Sequence, residues 1–186
     1  DTLLMTKTAG IEGAYIAASQ FADRLSDLTQ EELQTAKDFF AMLSVVREGV
    51  AAASCISERT DEMVPRASAV HMMHDVTEGG VFGAAYEMAE LSCCGVCIWA
   101  DRVPIHPVTK RITDILGIDP MRLISSGSLL IATAEPDKVV ARLKMENVDV
   151  TPIGVFTESG MTLTQDDGNS IKLDPPRVDE LYSLYA

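Results

Sequence analysis

Nine consecutive residues constrain the fold of this chain more than any other feature: Met73-His74-Asp75-Val76-Thr77-Glu78-Gly79-Gly80-Val81. The run from Ala67 to Met73 reads as a buried strand. It stops at the Asp75 carboxylate, turns through the Thr77 hydroxyl and two glycines, and opens a helix with Val81, Ala84, Ala85, Met88, Ala89 and Leu91 on its inner faces. At such a turn, free backbone N–H groups and the positive end of the helix dipole form an anion site, and glycine lets a ligand approach the main chain. The same residues also suit a helix merely capped by Thr77 or Asp75, with its glycines packed closely on a sheet. Strand–turn–helix geometry recurs in many folds, so the pattern alone leaves both readings open.

The rest of the chain supplies a frame for that turn. Thr2 to Thr8 is β-compatible and leads through Gly10 and Gly13, either side of Glu12, into a helical pattern at Ile11, Tyr15, Ala18 and Phe21. Thr29 is a good N-cap, with Glu31 and Glu32 in the first turn, for a helix reaching Val46. Gly49 is a candidate break, after which the Ala/Ser stretch to Ser57 can continue as another helix. Arg59 to Arg66 reads as a polar loop, Gly95 as the end of the helix that Gly80 opens, and Val96 to Trp99 as the next strand. Pro107 to Leu116 is amphipathic and helical, Ser128 to Thr133 is a strand, and Pro136 suits the first turn of a helix. Strands at Thr151 to Phe156, Met161 to Thr164 and Ser170 to Leu173 follow, the last two joined by Asp166-Asp167-Gly168 as a hairpin turn. Early alternation of strands and helices followed by clustered strands predicts an α+β domain, a mixed sheet with helices packed on it.

At 186 residues the chain is long enough for one well-buried core, and 1–186 is read as a single domain. Its formal charge of −13 repels polyphosphate backbones and anionic lipid surfaces, which excludes nucleic acid and membrane as main partners. No apolar run approaches the roughly 18 residues of a membrane span, and the opening residues do not resemble a signal peptide, so a cytoplasmic setting is expected. A start at Asp1 that enters an apolar segment at once suggests a piece of a longer polypeptide.

Four cysteines, Cys55 and the cluster Cys93, Cys94 and Cys97, do not form a secreted disulfide framework. Cys94-Gly95-Val96-Cys97 has the spacing of a zinc knuckle or a redox dithiol. A structural zinc would need a second pair, so the cluster reads as small apolar packing, reduced and metal-free. His71 and His74 fall on opposite faces of a strand and are not expected to chelate one metal, although His74 beside Asp75 is a possible cleft base. The acidic pairs Glu31-Glu32, Asp61-Glu62 and Asp166-Asp167 read as cap, loop and turn residues.

The Asp75–Gly80 turn resembles the Asp-x-Thr-x-Gly-Gly turn of the AIR synthase-related family, which includes selenophosphate synthetases, and especially of its HypE-like hydrogenase-maturation branch. Further pieces follow in the family's order. They are Thr6 to Ala14 with its glycine turn, Glu87-Met88-Ala89-Glu90 leading into Gly95-Val96, Asp114 to Pro120, Ser125 to Ala132, and Pro152-Ile153-Gly154 with Thr157. The resemblance spans nearly the whole chain.

It implies a three-layer α/β/α arrangement about the mixed sheet, with this chain as the C-terminal domain of a two-domain parent. In such a parent, an absent N-terminal domain carries most ATP and Mg2+ ligands and forms the homodimer. No cofactor is then expected in this chain alone, which should be inactive by itself. Its expected partners are its own N-terminal domain and other maturation proteins. Asp75, Thr77, Gly79 and Gly80 become the leading cleft residues, with Gly10, Gly13, Ser126 and Gly127 second, in contact with phosphate or substrate through main-chain N–H and hydroxyl groups; no catalytic residue is assigned.

Two kinds of departure mark this sequence. Val76 and Glu78 stand where the HypE-like branch usually has Pro and Arg, which reverses the charge where an anion would sit: either the ligand differs or Glu78 points away. That branch also ends in a cysteine that is carbamoylated and dehydrated to a thiocyanate, whereas Glu180 to Ala186 contains no thiol. Unless further residues follow, the carrier step is not expected here. The rival to an enzyme domain is a non-catalytic interaction or regulatory module that retains the fold.

Overall fold

Strand β1 (Thr2–Thr6) sends Leu3 and Met5 to one face of a sheet and Leu4 to the other, and all three are fully buried. A strand apolar on both faces belongs at the centre of a covered sheet. The computed structural model, which describes residues 1–55, 69–165 and 168–185, places it there. The other strands are β2 (Val70–Asp75), β3 (Gly95–Trp99), β4 (Leu129–Thr133), β5 (Val150–Thr157), β6 (Met161–Thr164) and β7 (Ser170–Lys172). They form one sheet in the order β2-β4-β1-β5-β3-β6-β7. β3 and β6 run parallel and every other neighbouring pair antiparallel, so the sheet is mixed.

Helix α4 (Gly80–Leu91) covers one face, where Val81 and Met88 join Leu3, Met5, Val96, Ile98, Leu130 and Ile153. The opposite face carries α3 (Val46–Ala53) and α6 (Pro136–Met145), with Ala52, Val139 and Leu143 against Leu4 and Ile131. A third apolar cluster joins α1 (Ile11–Gln20), α2 (Gln30–Asp38) and α5 (Pro107–Leu116) through Ile11, Ala36 and Ile112. Each fully buried Leu or Ile contributes about 1.5–3 kcal/mol. The expected three-layer α+β architecture is the one observed.

Several local expectations are corrected. The strand before the glycine turn is Val70–Asp75 and lies at the sheet edge, with alternating burial, because β4 is its neighbour in the sheet. Ala67, with the Arg59–Arg66 loop and Asp61-Glu62, lies outside the described residues, as do Asp166 and Asp167 of the hairpin turn. The helix starting at Thr29 does not reach Val46. α2 ends at Asp38 and tightens into a 3-10 turn at Phe39–Met42, and Gly49 sits inside α3 rather than breaking a helix. The physical reason is Lys7, whose ammonium takes the carbonyls of Met42 and Ser44, both at 2.8 Å, out of any helical ladder. Gly95 does not end α4. The left-handed residue there is Cys93, φ 52°, while Gly95 opens β3, where an added Cβ would lie 2.3 Å from the carbonyl of Gly160.

Candidate functional site

The α4 turn departs from the simplest capped-helix picture. Neither Thr77 nor Asp75 caps the helix; the N-cap is Gly79, φ 80°, without a side-chain cap from its own turn. Asp75 is exposed, Thr77 is half-buried, and the Thr77 carbonyl accepts from Gly80 N–H at 3.1 Å. Gly80, φ 62°, is held by close approach as well as by its dihedral, since a Cβ would stand 2.5 Å from the Met121 carbonyl. Phe82 N–H donates to that same carbonyl at 3.2 Å.

Three separate stretches singled out in the sequence meet at this end of the sheet, joined by residues 121–128. Leu123 is fully buried, and an added Cβ on Gly13 would lie 2.3 Å from its Cγ, so the α1 turn and this segment interlock only with glycine there. Gly13 N–H donates to the Ile124 carbonyl at 3.0 Å, while Ser125 N–H donates to the Val76 carbonyl at 3.2 Å and Val76 N–H to Ser128 O at 2.9 Å. The Ser125 and Ser128 hydroxyls both donate to the Thr8 carbonyl, at 3.2 and 2.8 Å. Gly10 is the left-handed N-cap of α1. Gly127 packs on Met42 and accepts from Lys7 Nζ at 2.7 Å, and Ser126 is half-buried. The three predicted stretches are thus tied to one another through Gly13 and Ile124, Val76 and Ser125, and Thr8 and Ser128, with Asp75 exposed.

The sequence reading missed what sits on the turn. Asp179, 4% exposed, accepts from Gly79 N–H at 2.7 Å and from Leu181 N–H at 2.9 Å. The carboxylate occupies the anion position at the α4 N-terminus. Beside it, the Tyr182 hydroxyl donates to Glu78 Oε1 at 2.7 Å, so Glu78 points to the C-terminal segment. Burial pushes the Asp179 carboxyl above its ordinary range, the charge of Glu78 adds to that push, and the N–H donors of Leu181, Gly79 and Ile124 oppose it. Burial, then the charge of Asp119, likewise raises Glu180, and the hydrogen bond to Glu78 raises the Tyr182 phenol. Nothing local in the sequence flags Asp179, which lies 100 residues beyond its donor. Leu123 had a signal in the apolar residues before Ser125.

The cysteines and histidines lie elsewhere. Cys55 is buried, Cys93 exposed, and Cys94 and Cys97 half-buried, with Cys97 Sγ 3.3 Å from Thr164 Oγ1. His71 pairs with Asp1 at 2.7 Å and His74 with Glu87 at 3.1 Å, while His74 Nδ1 also lies 2.6 Å from the Asp75 carbonyl. Both nitrogens of His74 are therefore engaged. Among the described residues no three His, Cys, Asp or Glu side chains are grouped to hold a metal, and no helix is long and apolar enough to cross a membrane.

Comparison with known proteins places this geometry in context. The family model for the AIR synthase related protein, C-terminal domain, matches residues 1–166. A putative hydrogenase expression/formation protein of Methanocaldococcus jannaschii is 33% identical over 82 residues, 44% of this chain and 24% of that protein. The crystal structure of Escherichia coli HypE superposes with a TM-score of 0.70 at 22% identity, covering 97% of this chain and 51% of that one. A HypE structure in complex with ATP gives a TM-score of 0.64 at 15% identity, covering 97% and 52%. The two structural likenesses establish the shared fold, and the chain spans about half the length of those solved chains.

Proposed function

The chain belongs to the AIR synthase related protein C-terminal domain family, and from that premise we propose that it works as the C-terminal half of a HypE-like, ATP-dependent maturation protein. In this reading the Gly10–Gly13, Asp75–Gly80 and Ser125–Ser128 stretches form one wall of a cleft completed by an N-terminal domain. That domain holds most of the ATP and Mg2+ ligands and carries the homodimer contact, and other maturation proteins are the partners. Gly79 N–H and the Thr77 hydroxyl are the groups suited to a phosphate or substrate oxygen. The observation that supports the reading is the Asp179 carboxylate on Gly79 N–H at 2.7 Å, because the turn accepts an anionic oxygen from this chain itself. ATP, when bound, would supply the phosphoryl chemistry, and Gly79 N–H and the Thr77 hydroxyl would orient its anionic oxygens.

The same contact favours a second reading, a non-catalytic interaction module in which the turn serves only to dock the C-terminal segment. Calorimetric titration with ATP and magnesium separates the possibilities. The 186-residue chain is expected to give weak or no binding, and the two-domain parent tight binding with turnover. Tight magnesium-dependent binding by this chain alone overturns the division between domains, and a parent that binds but never turns ATP over supports the module.

A further inference from the structure

We propose that the cavity where β1 ends and β5 begins, about 420 Å3 in volume, is a binding site for a small uncharged aromatic molecule that carries a hydrogen-bond acceptor. Phe39, Met42, Pro104, His106 and Val150 supply a mostly apolar wall, and this volume and lining are those of small-molecule sites. None of Asp75, Thr77, Gly79 and Gly80 lines it, so the cavity is independent of the glycine turn. Its walls are tied at three points to the Lys7–Ala9 stretch and are therefore in place before a ligand arrives. Lys7 N–H donates to the Asp149 carbonyl at 2.9 Å, beside the start of β5, and Ala9 N–H donates to the Pro104 carbonyl at 2.8 Å. The Lys7 ammonium takes the Met42 carbonyl at 2.8 Å. Lys7 itself holds a left-handed backbone, φ 54°, a conformation uncommon outside glycine that its surroundings impose.

The chemistry of the ligand follows from His106. It is the N-cap of α5, its Nδ1 accepting from Val108 N–H at 3.2 Å, so the proton of the neutral ring sits on Nε2. Burial pushes its pKa below the ordinary histidine value, which favours that neutral form. Nε2 has no partner among the described residues, which leaves an N–H with an acceptor still to find. Thr8 Oγ1, on the same wall, is likewise buried without a partner among the described residues, an unmet bond of the kind a bound molecule supplies. The Phe39 ring meets the imidazole edge to face, centroids 5.0 Å apart, so a flat ring entering the cavity extends an existing aromatic contact, and the Met42 thioether adds a polarisable neighbour. Charge on the walls is balanced. Lys7 pairs with Glu48 at 2.9 Å, and Lys144 and Asp149 offer one charge of each sign. A charged ligand therefore finds no uncompensated partner, whereas a neutral carbonyl or ring nitrogen takes the His106 N–H.

The test is acetophenone titrated into the 15N-labelled chain carrying 13C-methyl methionine, with benzoate and benzylammonium as charged analogues of similar size. Acetophenone is expected to give saturable shifts at the Met42 methyl and the Val150 and Thr151 amides, with a Kd on the order of 1 mM, and both charged analogues to bind less tightly. His106→Asn keeps a side chain able to cap α5 but loses the imidazole N–H, and affinity should fall about tenfold. Met42→Ala, at a position 36% exposed, should weaken binding about threefold without touching that donor. Sheet amides report that each variant is folded; if His106→Asn is not, Met42→Ala and the charged analogues decide. No saturable shift with acetophenone in the wild-type chain, or an affinity that Met42→Ala leaves unaltered, overturns the site. Tighter binding of benzoate or benzylammonium overturns the uncharged class, and unchanged affinity in folded His106→Asn overturns the role given to the acceptor.

Discussion

Gly80 and Gly117 both hold a left-handed backbone, φ 62° and 69°, but their surroundings differ. A Cβ on Gly117 meets nothing within 4 Å, so Gly117→Ala should cost only the dihedral strain, about 1–2 kcal/mol. On Gly80 the same atom meets the backbone of Met121, Arg122 and Leu123, which cannot swing aside, so Gly80→Ala is expected to cost more, about 3 kcal/mol. Urea unfolding of both variants checks the order; equal losses would mean that residues 121–123 yield easily. The comparison shows what a single sequence conveys. The need for a glycine turn between strand and helix is local, and Asp75 to Gly80 made it legible. The need for glycine specifically against Met121 depends on a segment about forty residues away, and composition carries no trace of it.

Long-range contacts also decide where elements stop. The capping box of α2 was legible because both partners are close in sequence: Glu32 N–H donates to Thr29 Oγ1 at 3.2 Å, and Thr29 N–H donates back to Glu32 at 2.8 Å. Its failure to run on to Val46 was not, because Lys7, far away along the chain, takes the Met42 and Ser44 carbonyls that a longer helix would use. Lys7 pairs with Glu48 at 2.9 Å, both largely buried, in addition to its carbonyl contacts. Lys7→Met should therefore cost about 3 kcal/mol, and Lys7→Met/Glu48→Leu should recover much of that by removing the stranded charge. Additive losses in the double variant would show that the carbonyl contacts, not the ion pair, matter.

The C-terminal segment is a second such element, and its charge gives it a pH dependence. Asp179 and Glu180 both sit above their ordinary carboxylate ranges when docked, so the docked state holds protons more tightly than the free segment. Docking is then favoured fully below the ordinary carboxylate pKa and weakens as pH rises through the elevated docked values. The 15N shifts of Gly79 and Leu181, followed upward from about pH 4, should move toward undocked values. Tighter docking with rising pH would contradict the sign.

At the scale of the whole molecule, three layers were legible in advance because strands with both faces apolar and helices with one apolar face have few ways to bury themselves together. The edge position of β2 was not, since a short apolar run reads the same at the centre or the rim of a sheet. The convergence of the Gly10, Asp75 and Ser125 stretches followed from the family resemblance; its means, Leu123 seated on Gly13 and backbone bonds at Val76, came only from the fold. The occupant of the turn, Asp179, was hidden by its distance along the chain.

In the proposed function, the Asp75–Gly80 turn faces a ligand rather than serving the core. Thr77 is half-buried and does not cap α4, and Asp75 is exposed, so neither side chain holds the domain together. In the two-domain parent, Thr77→Ala and Asp75→Ala should each lower ATP-dependent turnover while leaving unfolding stability nearly unchanged. Intact turnover of the folded fraction, with a stability loss on the order of 1 kcal/mol as for a structural cap, would contradict the account.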